Sequence, residues 1–219
     1  INEMTNLSLK MREVLSEYYE MGLAEPLQTS VSTDGTKKYL YSVLNGKFIE
    51  TAFIPEKDRA TICVSSQAGC KMGCVFCMTG KQGFQGNLSS NEILNQFRSL
   101  PEYRQITNMV YMGMGEPLDN LNEVLKSLDI LSSDWGYGWS PSRITVSTVG
   151  ILNRLNEFLE KSRCHLAVSL HSPFDEERRK LMPIQRTNAV EEVLNIIRNS
   201  DFNTQRRESF EYILCKGIN

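Results

Sequence analysis

The sequence predicts an α/β fold in which parallel strands alternate with helices, as a doubly wound sheet or as a barrel. Two observations carry that expectation. From residue 60 onward, short apolar runs alternate with amphipathic stretches in the order βαβαβαβαβ. The residues with unusual chemistry follow the ends of the apolar runs, where both architectures place their functional loops.

The elements follow in order. Residues 2–25 carry Leu7, Met11, Val14, Leu15 and Tyr18 at spacings of three and four, a helical period that stops before Pro26. A hairpin comes next, residues 38–44 and 47–54, joined by Asn45-Gly46, the pair that supplies the positive φ angles of a type I′ turn. Strands are expected over 60–66, 108–113, 143–149, 165–171 and 209–215. Helices between them carry Ile93, Leu94, Phe97 and Leu100; Val124, Leu125, Leu128 and Leu131; Leu152, Leu155, Phe158 and Leu159; and Val190, Val193, Leu194 and Ile197. Ser89 with Glu92, and Asn120 with Glu123, have the spacing of capping boxes ahead of the first two.

Composition narrows the class. At 219 residues, with 41% hydrophobic and 23% charged residues, the chain can bury a real core and is neither disordered nor collagenous. No apolar run reaches the roughly 18 residues of a membrane span. The 24 Lys+Arg against 26 Asp+Glu give no global field for a polyanion, so any nucleic-acid contact must come from local patches. Lys71, Lys81, Arg98, Arg104 and Arg143 are the candidates. The chain opens at Ile1 and closes soon after a strand-like run, which reads as a piece of something longer.

Six cysteines stand at 63, 70, 74, 77, 164 and 215, four of them within residues 63–77. That crowding points to metal or redox chemistry in a reducing cytosol rather than to a disulfide framework. Cys70, Cys74 and Cys77 form Cys-x3-Cys-x2-Cys on a glycine-rich loop, able to wrap one face of a cubane iron–sulfur cluster and leave one iron open. A zinc site borrowing Cys63, or buried cysteines of no special role, are the alternatives. Cys164 and Cys215 read as core thiols.

The cysteine spacing, with Phe76 before the third thiol, resembles the radical S-adenosylmethionine (SAM) enzymes. Residues 61–70, Met112-Gly113-Met114-Gly115-Glu116-Pro117, Ser147-Thr148-Val149-Gly150, Ser169-Leu170-His171 and Met182-Pro183-Ile184, in that order, resemble their RlmN and Cfr branch. The resemblance implies a partial (β/α)6 radical SAM barrel, five of six strands present, over 60–219. It implies the end of an accessory helical domain over 1–30 and a hairpin extension over 31–59. The implied cofactors are a 4Fe–4S cluster on Cys70, Cys74 and Cys77, and SAM held by Gly113, Gly115, Glu116, Ser147, Ser169, Leu170 and His171. A cysteine far beyond the fifth strand carries a methyl group in that branch. A radical on that methyl carbon adds to adenine, and the cysteine matching Cys63 closes a disulfide that releases the product. Glu50 matches the proton acceptor.

The implied activity is C2 methylation of an adenosine in 23S rRNA, with tRNA as a further substrate. C8 methylation, as in Cfr, and a non-catalytic iron–sulfur or zinc module are the alternatives. A flavodoxin- or ferredoxin-type donor, a cytoplasmic location without membrane contact and a monomeric complete protein complete the expectation. Without the methyl-carrying segment, this length of chain is expected to bind the cluster, perform no full turnover, and expose an open barrel edge.

Overall fold

A computed structural model describes residues 1–20, 22–43, 46–200 and 206–217. The first helix, α1 (Leu9–Tyr18), is shorter than the expected 2–25 and buries none of its residues. Its period is helical, but Leu9, Met11, Val14 and Tyr18 all face solvent, so no core contact extends it. An exposed strand, β1 (Gln28–Val31), follows and leads into β2 (Lys37–Val43) and β3 (Lys47–Pro55).

The β2–β3 register runs to the pair Val43 and Lys47, and the expected Asn45-Gly46 turn falls outside the described residues at its first position. Positions 44 and 45 lie outside the described residues; Gly46 has φ +90°. β3 then pairs antiparallel with β4 (Ala60–Cys63), so the hairpin is continuous with the main sheet.

Beyond β4, a small ribbon of β5 (Gln67–Ala68) and β6 (Gly86–Asn87) brackets the cysteine loop and a short helix, α2 (Met78–Lys81). The regular units follow: α3 (Ser90–Arg98), β7 (Asn108–Tyr111), α4 (Leu121–Ser132), β8 (Ile144–Thr148), α5 (Leu152–Lys161) and β9 (His165–Ser169). Last come α6 (Asp175–Leu181), α7 (Val190–Arg198) and β10 (Glu208–Glu211). The eight-stranded sheet has the order β1-β2-β3-β4-β7-β8-β9-β10, antiparallel up to β4 and parallel from β4 onward.

Strand alternation divides the sheet into two faces. Ile62, Met109, Tyr111, Ile144, Val146, Leu166 and Val168 are buried against Ile93, Phe97, Leu128, Leu155, Phe158, Val193 and Ile197 of α3, α4, α5 and α7. Burial of a large apolar side chain contributes about 1.5–3 kcal/mol, so this face holds most of the folding energy. The other face carries Cys63, Ser147, Ser169 and Glu211. Cys63 pairs with Ala52 on β3, so Glu50, two residues along, stands on that face as well.

Each expected parallel strand stops short of its expected C-terminal end. After Cys63, the Gln96 amide from α3 takes over the ladder, accepting from Ser65 N and donating to Ser65 O, both at 2.8 Å. Ser89 and Glu92 form the expected capping box. Asn120 and Glu123 do not. The Asn120 amide donates to Ser66 O and Leu88 O, and Glu123 accepts from Ser90 N, so both tie α4 to its neighbours. Cys164 is a core thiol, as expected. Cys215 is not, because the chain leaves the strand at Glu211 and runs past an exposed Leu214.

Candidate active site

At the C-terminal ends of the parallel strands lies a cavity of about 270 Å³. The cysteine loop forms one wall; Gly113, Gly115, Glu116, Ser147, Ser169, His171 and Glu211 are among the residues that form the rest, with Met112 and Met182. A hollow of about 340 Å³ between Gly22, Ala24, Ser42 and Asn95 brings together no thiol, histidine or basic side chain among the described residues.

The cysteine loop is held from both sides. Val75 N donates to Leu181 O at 3.0 Å, and Cys74 packs with Val149, Leu181 and Met182, with Met72, Phe76 and Ile184 at the margin. Cys70 and Cys74 are buried and Cys77 is half-buried. Burial pushes the Cys70 thiol up to about 11 and Cys74 up to about 12, so both are protonated at neutral pH until a metal displaces the protons.

Among the described residues, no three His, Cys, Asp or Glu side chains converge on a point that would suit one metal ion. Three soft thiols spread along one loop and facing a cavity suit a cubane cluster, whose irons are spaced apart.

Glu116 is clamped rather than free. Its carboxylate accepts from Leu118 N at 3.0 Å, Thr148 Oγ1 at 2.6 Å and Val149 N at 3.0 Å, joining the β7 loop to the end of β8. Burial raises its pKa to about 7, against those hydrogen bonds. Gly113 and Gly115 are required by the protein's own backbone. A Cβ on Gly113 would stand 2.7 Å from Val64 O, and one on Gly115, at φ +97°, would stand 2.8 Å from Gln67 N.

His171 has a left-handed φ of +58°, rare for a residue with a side chain. The conformation is fixed by its N–H, which donates to Glu211 O at 3.1 Å. Nδ1 accepts from Ile213 N at 3.2 Å, and the ring meets Phe76 edge to face at 4.9 Å. Burial, then the Arg178 charge, lowers its pKa, so the imidazole is neutral with its proton on Nε2. Leu170 contributes backbone: its N–H donates to Glu211 O and its carbonyl accepts from Arg178 Nε.

Cys63 lies on β4 with burial raising its thiol to about 11. Glu50 shares its sheet face but is about half exposed and ion-paired with Lys38 at 2.8 Å. Its strand is flanked on both sides rather than being an edge.

Two residues escaped the sequence reading. Arg178, fully buried on α6, donates to Leu170 O, Ser169 O at 3.1 Å, Val149 O at 2.9 Å and Gln185 Oε1, tying the ends of β8 and β9 together. The acidic first turn and basic last turn of α6 were the available signal for that helix. Glu211 accepts from Ser147 Oγ at 3.0 Å and Ser169 Oγ at 3.2 Å. Of the basic residues proposed near this face, Lys71 and Lys81 are on the cysteine-loop side. Arg98 ends α3, and Arg104 and Arg143 precede β7 and β8, which places those three at the opposite end of the sheet.

Comparison with known proteins agrees with this geometry. The Radical SAM superfamily matches residues 64–219. The chain is 58% identical over its 219 residues to a probable dual-specificity RNA methyltransferase RlmN from Bacteroides fragilis, covering 64% of that protein. It is 41% identical to a dual-specificity RNA methyltransferase RlmN from Desulfosudis oleivorans, covering 60% of it. The crystal structure of a radical SAM methyltransferase from Sphaerobacter thermophilus superposes with a TM-score of 0.89 at 35% identity, over 99% of this chain and 65% of that one. The chain thus spans somewhat under two thirds of the length of these relatives. With its cysteine loop after the first parallel strand and the family match running through most of its length, the protein belongs to the radical SAM superfamily, whose members use a 4Fe–4S cluster and S-adenosylmethionine.

Proposed function

We propose that this chain is the catalytic part of an RNA methyltransferase of the RlmN kind, acting on C2 of an adenosine in 23S rRNA and also on tRNA. The observation that carries the reading is the single cavity that gathers Cys70, Cys74 and Cys77 with Glu116, Ser147, Ser169 and His171, while Cys63 stands on the same sheet face. The 58% identity to a protein described as an RlmN supports the RNA substrate.

Cys70, Cys74 and Cys77 hold the cluster, and Gly113, Gly115, Glu116, Ser147, Ser169, Leu170 and His171 surround SAM. When bound, the pair supplies one-electron reductive cleavage of the sulfonium and a methyl group. The chain's residues orient and exclude water. His171 stands in the cavity wall with Nδ1 accepting from Ile213 N, and the Met72, Phe76 and Met182 side chains add an apolar wall. Cys63, its thiol pushed up by burial, would give its proton to a base and form a disulfide with a second cysteine as the bond from that cysteine's sulfur to the product's methyl-derived carbon breaks. Glu50, on the same face, accepts a substrate proton and sheds its bond to Lys38 to do so. A flavodoxin- or ferredoxin-type protein supplies electrons, in the cytoplasm, to a monomeric enzyme.

The test is anaerobic reconstitution followed by incubation with SAM, a reductant and 23S rRNA. Iron at about four per chain, release of 5′-deoxyadenosine and 2-methyladenosine in digested RNA are expected from the complete protein. Cys74→Ala loses all three; Cys63→Ala keeps the first two and loses methylated RNA. One zinc per chain with no 5′-deoxyadenosine sinks the reading in favour of a binding module, and 8-methyladenosine sinks the C2 assignment.

A further inference from the structure

The charge of the cavity is one-sided. Its described lining contains the carboxylates of Glu116 and Glu211 and no Lys or Arg. His171, the lining histidine, is neutral. Arg178 lies behind this wall with its guanidinium spent on three carbonyls and Gln185.

Glu116 is turned into the protein by three hydrogen bonds, which leaves Glu211 as the carboxylate nearest to the ligand-facing hydroxyls. Glu211 pairs with Ser169 in the β9–β10 register, and Ser147 stands on the same face one strand further in. Both serine hydroxyls donate to Glu211 Oε2. Having given their protons to the carboxylate, they can only accept from a ligand, and so favour O–H or N–H groups. Its main-chain carbonyl meanwhile accepts from Leu170 N and His171 N, so β10 is anchored at this residue.

We propose that Glu211 makes the SAM pocket selective for a cation: its charge, in a cavity without basic side chains, favours the sulfonium of SAM over the neutral sulfur of S-adenosylhomocysteine. This rests on the reading of the cavity as the SAM site. The two ligands share their adenosine, amino and carboxylate groups. They differ by one methyl group and one positive charge, so the change in the ratio of their affinities when Glu211 loses its charge isolates the charge contact. In a partly desolvated cavity, one favourable charge contact changes affinity roughly tenfold or more.

Equilibrium binding of each ligand to the oxidised, cluster-loaded protein tests this without turnover. Wild type is expected to prefer SAM by roughly tenfold or more. Glu211→Gln keeps an oxygen acceptor for both serines, and is expected to lose most of that preference by weakening SAM alone, with iron content and the visible absorption of the cluster unchanged. An unchanged ratio, or equal weakening of both ligands, overturns the proposal. Should Glu211→Gln lose the cluster, Glu211→Asp decides: retention of the preference supports the charge and its loss overturns it. If wild type binds neither ligand, the SAM reading itself has failed, and that result appears before any variant is made.

Discussion

Glu116 shows how a single buried carboxylate couples folding to pH. Its folded pKa of about 7 stands above the 4.5 of an exposed glutamate, because burial outweighs the three donors around it. Between those values the folded protein holds a proton that the unfolded chain has released, so stability of the protein free of cluster and SAM falls as pH rises through that window. The difference amounts to about 3 kcal/mol in all. Urea midpoints measured from pH 5 to pH 8 should therefore decline, and Glu116→Gln should flatten this part of the profile; a slope unchanged by the substitution would sink the assignment. At this scale the sequence made the cysteines and the Gly115-Glu116 pair legible, because each sits in a contiguous motif. Glu211 and Arg178 were hidden, since their roles depend on hydroxyls and carbonyls dozens of residues away in the chain.

Elements of this fold are secured by side chains at their ends. Ser89 caps α3 through the bond from Glu92 N, and Ser89→Ala should cost about 1 kcal/mol in thermal or urea unfolding. Arg178 secures α6 to β8 and β9 more tightly. Arg178→Lys retains charge but cannot reach four acceptors in a planar fork, and should destabilise by about 3 kcal/mol while opening the 170–187 segment to limited proteolysis. Equal protease resistance in that variant would show that the carbonyls find other donors. Apolar periodicity made α3, α4, α5 and α7 legible because each packs on one sheet face. It overran α1, none of whose residues is buried, and it missed α6, whose buried contribution is one arginine and one leucine. Strand ends were overestimated for a related reason: side-chain amides such as that of Gln96 replace the ladder where the loops begin.

Across the whole molecule, the sheet separates labour by face and by end. One face is sealed by helices, and the chemistry collects at the C-terminal ends of the parallel strands. Lys71 and Lys81 lie at that end and Arg104 and Arg143 at the other, so charge reversal distinguishes them. Lys71→Glu with Lys81→Glu should weaken RNA binding and make its dependence on salt shallower, whereas Arg104→Glu with Arg143→Glu should leave both unchanged in filter binding across salt concentrations. Equal losses from the two pairs would place the RNA elsewhere. The parallel βα order was legible from sequence; the continuity of the hairpin with that sheet was not, because residues 56–59, which turn β3 antiparallel into β4, contain no Gly or Asn to signal a tight turn.

Thioethers crowd the cysteine loop: Met72, Met112 and Met182 line the cavity and Met78 opens the helix after Cys77. Their exposure is graded, with Met78 at 67%, Met112 at 40% and Met182 at 0%. Peroxide should therefore convert Met78 and Met112 to sulfoxides while Met182 survives. The sulfoxide at Met112 adds a polar oxygen to the cavity lining, so oxidative damage would reach the pocket well before it reached the core, and methionine sulfoxide reductase would restore it without refolding.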